Sequence, residues 1–149
     1  MASRYSRRGT VIGMLVAGAI VGAPKFPALA AESMSDIYGY SPAVKANGLV
    51  FISGVFGAEP DGTIPKDPGK QFKLAFAELG NVLKTEGLGP EDIVEITSFH
   101  VRYPRYMDAF MKAKTEFLHG NKPAWTAIGA AALGTPETLV EIKAVAKAR

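Results

Sequence analysis

Any chemistry this chain performs has to be done without sulfur. Its 149 residues include no cysteine, which excludes thiol nucleophiles, disulfides, thiolate-bound metals and a lipid-modified cysteine together. The two histidines, His100 and His119, are too few for a histidine-rich metal site. His100 lies inside "SFHVR", where a strand histidine bonded to a neighbour is the ordinary arrangement. His119 precedes Gly120 at an expected helix carboxyl end, where a cation is favoured. Arg102 and Arg105, in "VRYPRY", read as solvated loop charges. The only tryptophan, Trp125, follows Pro123-Ala124 at the head of the small-residue stretch "TAIGAAALG". Its indole offers one N–H donor and no charge. No residue spacing points to a metal or an organic cofactor.

The elements that must position these residues are legible from local pattern. "YSPAVKANGLVFISG" (40–54) reads as two extended pieces around the turn formers Asn47-Gly48, and "LVFIS" is apolar enough for a strand covered on both faces. Residues 55–69 carry three prolines and three glycines and read as loop. Asp67-Pro68 supplies a capping acid and a proline at the first helical position. Phe72, Phe76, Leu79 and Leu83 follow at helical spacing until Gly87. "IVEITSFHVRY" (93–103) is β-branched and aromatic, hence a strand. A second helix carries Met107, Phe110, Met111, Lys114 and Phe117 on adjoining faces and stops at Gly120. "AWTAIGAAAL" and "ETLVEIKAVA" close the chain as strands. The order β-β-α-β-α-β-β predicts an α+β layer architecture, a mostly antiparallel sheet with two helices on one face. The small residues of "AIGAAALG" leave the other face thin, which suits close approach by a second copy of the chain.

The first thirty residues are unlike the rest. Arg4, Arg7, Arg8 and Lys25 stand there without an acidic partner, followed or flanked by the apolar run 10–22 and the small-x-small site Ala28-Leu29-Ala30. These are the parts of a secretory signal peptide, which is expected to place the protein in the periplasm or outside the cell; an uncleaved amino-terminal anchor is the alternative reading. "SRRG" (6–9) resembles the twin-arginine type, although Thr10 and Val11 stand where that signal has Phe-Leu. The domain expected to fold is therefore 31–149. Without residues 1–30 the charge falls from 17 minus 14, or +3, to 13 minus 14, or −1. The basic balance belongs to the leader and not to a nucleic-acid-binding face, and no membrane contact is expected once the leader is removed.

Across residues 38 to 147, "GYSPAVKANGLVFISG", "DIVEITSFHV" and "PAWTAIG…LVEIKAVA" occur in an order that resembles the RidA (YjgF-type) family. The resemblance implies a chorismate-mutase-like fold, a homotrimer, and ligand clefts between neighbouring subunits. It also implies the family's best-known chemistry, hydrolysis of reactive 2-imino or 2-enamino acids to 2-keto acids and ammonia. On that pattern Glu141 matches the carboxylate that orients water, and Tyr40, Ser53 and the Ala127 backbone N–H match ligand-binding positions. As plain structure, Tyr40 is a half-buried aromatic, Ser53 a strand-end serine, and Glu141 a solvated strand glutamate.

This sequence departs from the pattern at two points. Trp125 stands where imine-hydrolysing members carry the arginine that holds the substrate carboxylate, and Val55 where many relatives have glutamine. Loss of a buried charge-assisted pair costs ~2–5 kcal/mol. Trp125 is accordingly expected to line the inter-subunit cleft and to favour a flatter or less anionic ligand, or else to close the cleft as an interface aromatic. The functional expectations are a small-molecule-binding trimer whose imine/enamine deaminase chemistry is lost or retargeted, a fully active deaminase, or a non-catalytic stress-protective trimer. RNA cleavage fits the acidic, exported domain poorly.

Overall fold

In the computed structural model residues 34–149 are described; the expected leader, residues 1–30, and its expected cleavage site lie outside them. The chain opens with a short helix, α1 (Met34–Tyr38), then forms β1 (Ala43–Ala46), β2 (Leu49–Val55), α2 (Pro68–Thr85), a 3₁₀ turn at Pro90–Asp92, β3 (Ile93–Val101), α3 (Met107–Leu118), β4 (Ala124–Ala130) and β5 (Val140–Lys147). The expected β-β-α-β-α-β-β order is present. Helix α1 and the 3₁₀ turn are additional, and both are too short for periodicity to reveal.

The turns are set by local chemistry. Asn47 and Gly48 both take positive φ, 51° and 75°, as a two-residue turn between twisted strands requires, and Ala46 pairs with Leu49 across it. Asp67 caps α2 by accepting from the Lys70 N–H at 2.7 Å, with Pro68 next in line. The helix ends where Gly87 turns left-handed, φ 75°, and the Leu88 N–H returns to the Leu83 carbonyl at 2.9 Å. Helix α3 turns one residue earlier than the glycine suggested, with His119 at φ 47° just before Gly120.

The strands form one mixed sheet in the order β1-β2-β5-β3-β4, with β3 and β4 parallel and every other pair antiparallel. Helices α2 and α3 cover one face. Phe72, Phe76, Leu79, Leu83 and Phe110 pack there against Val50, Ile52, Ile96, Ile142 and Ala144, all buried. Buried Gln71 acts as a bolt within this layer. Its amide nitrogen donates to the carbonyls of Pro65 and Glu137, both at 3.1 Å, and its amide oxygen accepts from the Leu139 N–H at 2.6 Å. Every polar atom of that side chain's amide is thereby paired, and the entrance to β5 is fixed two residues before Glu141. The opposite face of the sheet is open. It is thin along the alanines of β4, as expected, but Val44, Phe51 and Ile128 stand exposed on it.

Candidate functional site

The site is built around a fault in the β2–β5 ladder. Ile52 pairs with Ala144 and Val55 with Ile142, so three steps along β2 answer two along β5. That is a β-bulge at Ser53-Gly54, a device that re-aims side chains and local backbone. The Ser53 N–H donates to the Pro42 carbonyl at 2.9 Å and its hydroxyl donates to the Ser41 carbonyl at 2.7 Å. The bulge is thus laced to the segment that carries Tyr40. With its proton committed, the Ser53 oxygen keeps lone pairs for a ligand.

Glu141 lies against the bulge. A Cβ on Gly54 would stand 2.0 Å from Glu141 Oε1, so only glycine leaves room for the carboxylate there. Among the described residues the carboxylate has no hydrogen-bond donor and no ion-pair partner. It opens into a cavity of about 480 Å³ lined by Tyr38, Tyr40, Ser53, Phe56, Thr135 and Glu141. Three of the residues singled out from sequence, Tyr40, Ser53 and Glu141, are therefore brought together within one chain. A neighbouring groove of about 460 Å³ shares Tyr40 and Gly54, but its acids are engaged. Glu59 there binds Lys70, and Glu78 accepts from Asn81 Nδ2 at 3.0 Å. Of these two spaces among the described residues, the Glu141 cavity is the one with an uncommitted carboxylate.

Trp125 and Ala127 stand elsewhere. Strand β4 is a sheet edge, and Trp125 pairs with Ile96 and Ala127 with Ser98, both on the helix-covered side. The indole stacks on Phe110 of α3, centroids 5.8 Å apart, with the Lys114 ammonium 3.2 Å from the centroid of its ring. Its N–H donates to Ser98 Oγ at 2.9 Å. The helical spacing of Phe110 and Lys114, one turn apart, is what lets α3 grip the ring with both. Within one chain, then, the expected site residues divide between the two faces of the sheet. Arg102 and Arg105 bring no guanidinium to this site: neither lines the Glu141 cavity, and Arg105 sits over the Tyr106 ring at 5.4 Å. Among the described residues no group of three or more His, Asp or Glu could hold a metal ion.

His100 completes the buried polar cluster beneath Trp125. Its Nε2 is 2.8 Å from Ser98 Oγ and its ring meets Phe110 edge-on at 4.6 Å. Burial holds its pKa below the ordinary imidazole value. Above a pH of about 6.5 the group is neutral in both folded and unfolded chains. Below it the unfolded chain takes up a proton that the folded one resists, so acidification costs stability until the folded pKa is passed. Thermal melts between pH 7 and 5 should show a smaller loss for His100→Gln than for the parent. Parallel pH dependences would remove His100 as a cause.

Sequence reasoning missed Tyr38, Phe56, Thr135, Ser98 and Lys114 as parts of these two assemblies. Tyr38 was in principle visible, two residues before Tyr40. The rest come together only through the tertiary fold.

A five-stranded mixed sheet in this order, two helices on one face, and a bulged strand setting a serine beside a glutamate define an α+β protein of the chorismate-mutase-like, YjgF type. The chain belongs to that family: the family described as Endoribonuclease L-PSP matches residues 30–148. The RutC family protein YjgH of Escherichia coli (strain K12) is 34% identical over 123 residues, covering 82% of this chain and 92% of that protein. A solved structure of protein YJGH matches with a TM-score of 0.71 at 33% identity, over 78% of this chain and 88% of that one. A Mycobacterium tuberculosis member of the YjgF/YER057c/UK114 family shares the fold, TM-score 0.69 at 23% identity, over 79% and 94%.

Proposed function

We propose that this chain forms a homotrimer that binds small C=N compounds in clefts between subunits, with the Glu141 cavity as the reacting half of each cleft. The observation that carries this reading is the uncommitted Glu141 carboxylate seated on Gly54, beside Ser53 and Tyr40, in a cavity of about 480 Å³. Association of copies through the open face would cover Val44, Phe51 and Ile128. It would also bring the β4 edge of a neighbour, with Trp125 and the Ala127 backbone, to the mouth of the cavity.

In this reading Glu141 accepts a proton from water as its oxygen bonds to the imine carbon. Protonation of nitrogen and cleavage of the C–N bond then release ammonia and leave a carbonyl product. Trp125 supplies no fixed cation for a carboxylate next to the reacting carbon, so the favoured ligands are neutral or aromatic there. The cavity suits a small molecule, and residues 31–149 carry 13 basic against 14 acidic groups, which does not supply the cationic face that RNA binding uses. The indole's occupied donor and stacked face also support a second reading, a protective trimer that binds without turnover.

The test is ammonia release by purified protein from a panel of neutral, aromatic and 2-carboxylated imines and enamines, with binding measured alongside. Turnover of the neutral or aromatic members supports the first reading, and binding without turnover the second. Neither binding nor acceleration across the panel would sink both.

The same proposal places the mature protein outside the cytoplasm, with residues 1–30 removed. Amino-terminal sequencing of protein recovered from an exporting bacterium should begin at Ala31. A product retained in the cytoplasm that begins at Met1 would contradict export.

A further inference from the structure

The Glu141 cavity continues past Tyr40 onto the helix side of the protein. Tyr40, Gly54 and Phe56 line both that cavity and the groove of about 460 Å³, whose other wall is the outer face of α2, through Leu74, Ala77, Glu78 and Asn81. Those four recur at three- and four-residue spacing, one face round from the buried Phe72, Phe76 and Leu79. Val44, Phe51 and Ile128, which association through the open face would cover, line neither space. The groove thus lies apart from the surface that a trimer of this kind would bury.

The loop after β2 holds one side of the groove in place. A Cβ on Gly57 would run into the Gln71 carbonyl, so the loop rests directly on the α2 backbone between Phe56 and Ala58, and both of these line the groove. Glu59 fastens the next turn, its N–H donating to the Thr63 carbonyl at 2.8 Å and its carboxylate binding Lys70. That leaves Glu78 as the uncompensated charge of the groove. Asn81 Nδ2 donates to one of its carboxylate oxygens at 3.0 Å, and this neutral amide fixes the group without cancelling its charge. Among the described residues no ion pair reaches Glu78. Nor, among them, does any lysine, arginine or histidine line the groove, the Glu141 cavity, or the smaller space of about 210 Å³ that Glu78, Tyr40 and Ser53 share.

A carboxylate and aromatic rings with no cation among them suit an ammonium ion, which ring faces attract and an opposite charge holds. We propose that Glu78, with Tyr40 and Phe56, forms an amine subsite of the same cleft, selecting C=N ligands that carry a protonated amine at the end of a short apolar chain. Leu74 and Ala77 give that chain an apolar wall. The proposal rests on the Glu141 cavity being the reaction site, and it deepens that reading by naming the substrate class. A ligand of this charge makes no demand for a guanidinium at position 125, where this chain has tryptophan.

The experiment uses purified full chain and three probes of equal chain length, hexylammonium, hexanol and hexanoate, with affinities from titration followed by NMR at neutral pH. Hexylammonium should bind the parent most tightly and hexanoate least. Glu78→Gln, which keeps an acceptor for Asn81, should weaken hexylammonium about threefold, the scale of an exposed ion pair, and leave hexanol unchanged. Glu78→Asp should retain part of the preference. Equal hexylammonium affinity in parent and Glu78→Gln, or hexanoate bound as tightly as hexylammonium, overturns the subsite. So does a loss confined to Glu141→Gln, which would put the ammonium on the reacting carboxylate instead. Turnover in Glu141→Gln is measured separately. If turnover survives that change, the reaction site is misassigned whatever the hexylammonium result, and if turnover is lost while hexylammonium ignores Glu78, only the subsite falls.

Discussion

Replacing Glu141 by glutamine is expected to lower hydrolysis of any turned-over imine about 100-fold or more while leaving the melting temperature of the protein nearly unchanged. The first half follows from what the carboxylate would do. A positioned general base contributes ~10²–10⁴-fold to such a step, and an amide of the same shape cannot accept the proton from water. The second half follows from the surroundings. Glu141 makes no hydrogen bond or ion pair among the described residues, so the substitution leaves no partner stranded. Glutamine is also close enough in size to rest on Gly54 as the carboxylate does. Rate and stability therefore separate in one variant. Ammonia release at saturating substrate, with a thermal melt of the same preparation, checks both. A variant with parental turnover would remove Glu141 from the reaction.

The part of the fold that was legible in the sequence was fixed by neighbours in the chain. The Asn47-Gly48 turn, the Asp67-Pro68 start of α2 and the Gly87 stop each depend on the conformational needs of one or two residues, and the structure shows each need satisfied. The helix core was legible because Phe72, Phe76, Leu79 and Leu83 repeat at helical spacing. Strand faces were another matter. In β3 the buried side carries Ser98 and His100, while Phe99 stands on the less buried side. That pattern inverts the usual alternation, so hydrophobicity alone would assign the faces wrongly. In β4 the large apolar Ile128 lies on the open face, opposite to Trp125, so hydrophobicity does not declare one buried face there either.

The bulge was only weakly signalled. Ser53-Gly54 in "ISGV" reads as a strand end, and although a strand glycine is compatible with a bulge, only the mismatch between β2 and β5 shows the extra residue. Yet this fault seats Gly54 against Glu141 and leaves Ser53 in the same cavity. The resemblance to relatives was what singled out Ser53 and Glu141. Physical reasoning from the chain supplied the architecture that holds them but not their pairing.

Among the residues singled out for the site, Trp125 is where a single substitution should cost the most stability, and the direction tests what the ring does. Trp125→Ala removes the stack on Phe110, the Lys114 contact and the N–H bond to Ser98 Oγ. Full burial of such a ring would make the loss ~3–5 kcal/mol, and its partial exposure brings the expectation to ~2–4 kcal/mol. Trp125→Arg should lose a comparable amount for a different reason. A guanidinium in that place would face Phe110 and meet the Lys114 ammonium, so like charges would push it out of the helix layer toward the edge of β4. Displaced in that way, it becomes available to a ligand carboxylate, and hydrolysis of 2-imino acids should rise above the parent even as stability falls. The stronger version adds Val55→Gln, at a further cost, because Val55 belongs to the buried core. Lys114→Gln in the Trp125→Arg background should recover part of the stability by removing the repulsion. Denaturant melts and 2-imino-acid assays on the same set of variants decide the matter. If Trp125→Arg melts like the parent, the ring is not held as described; if it is destabilised without any gain in turnover, the residue at 125 is not what limits 2-imino-acid hydrolysis by this protein.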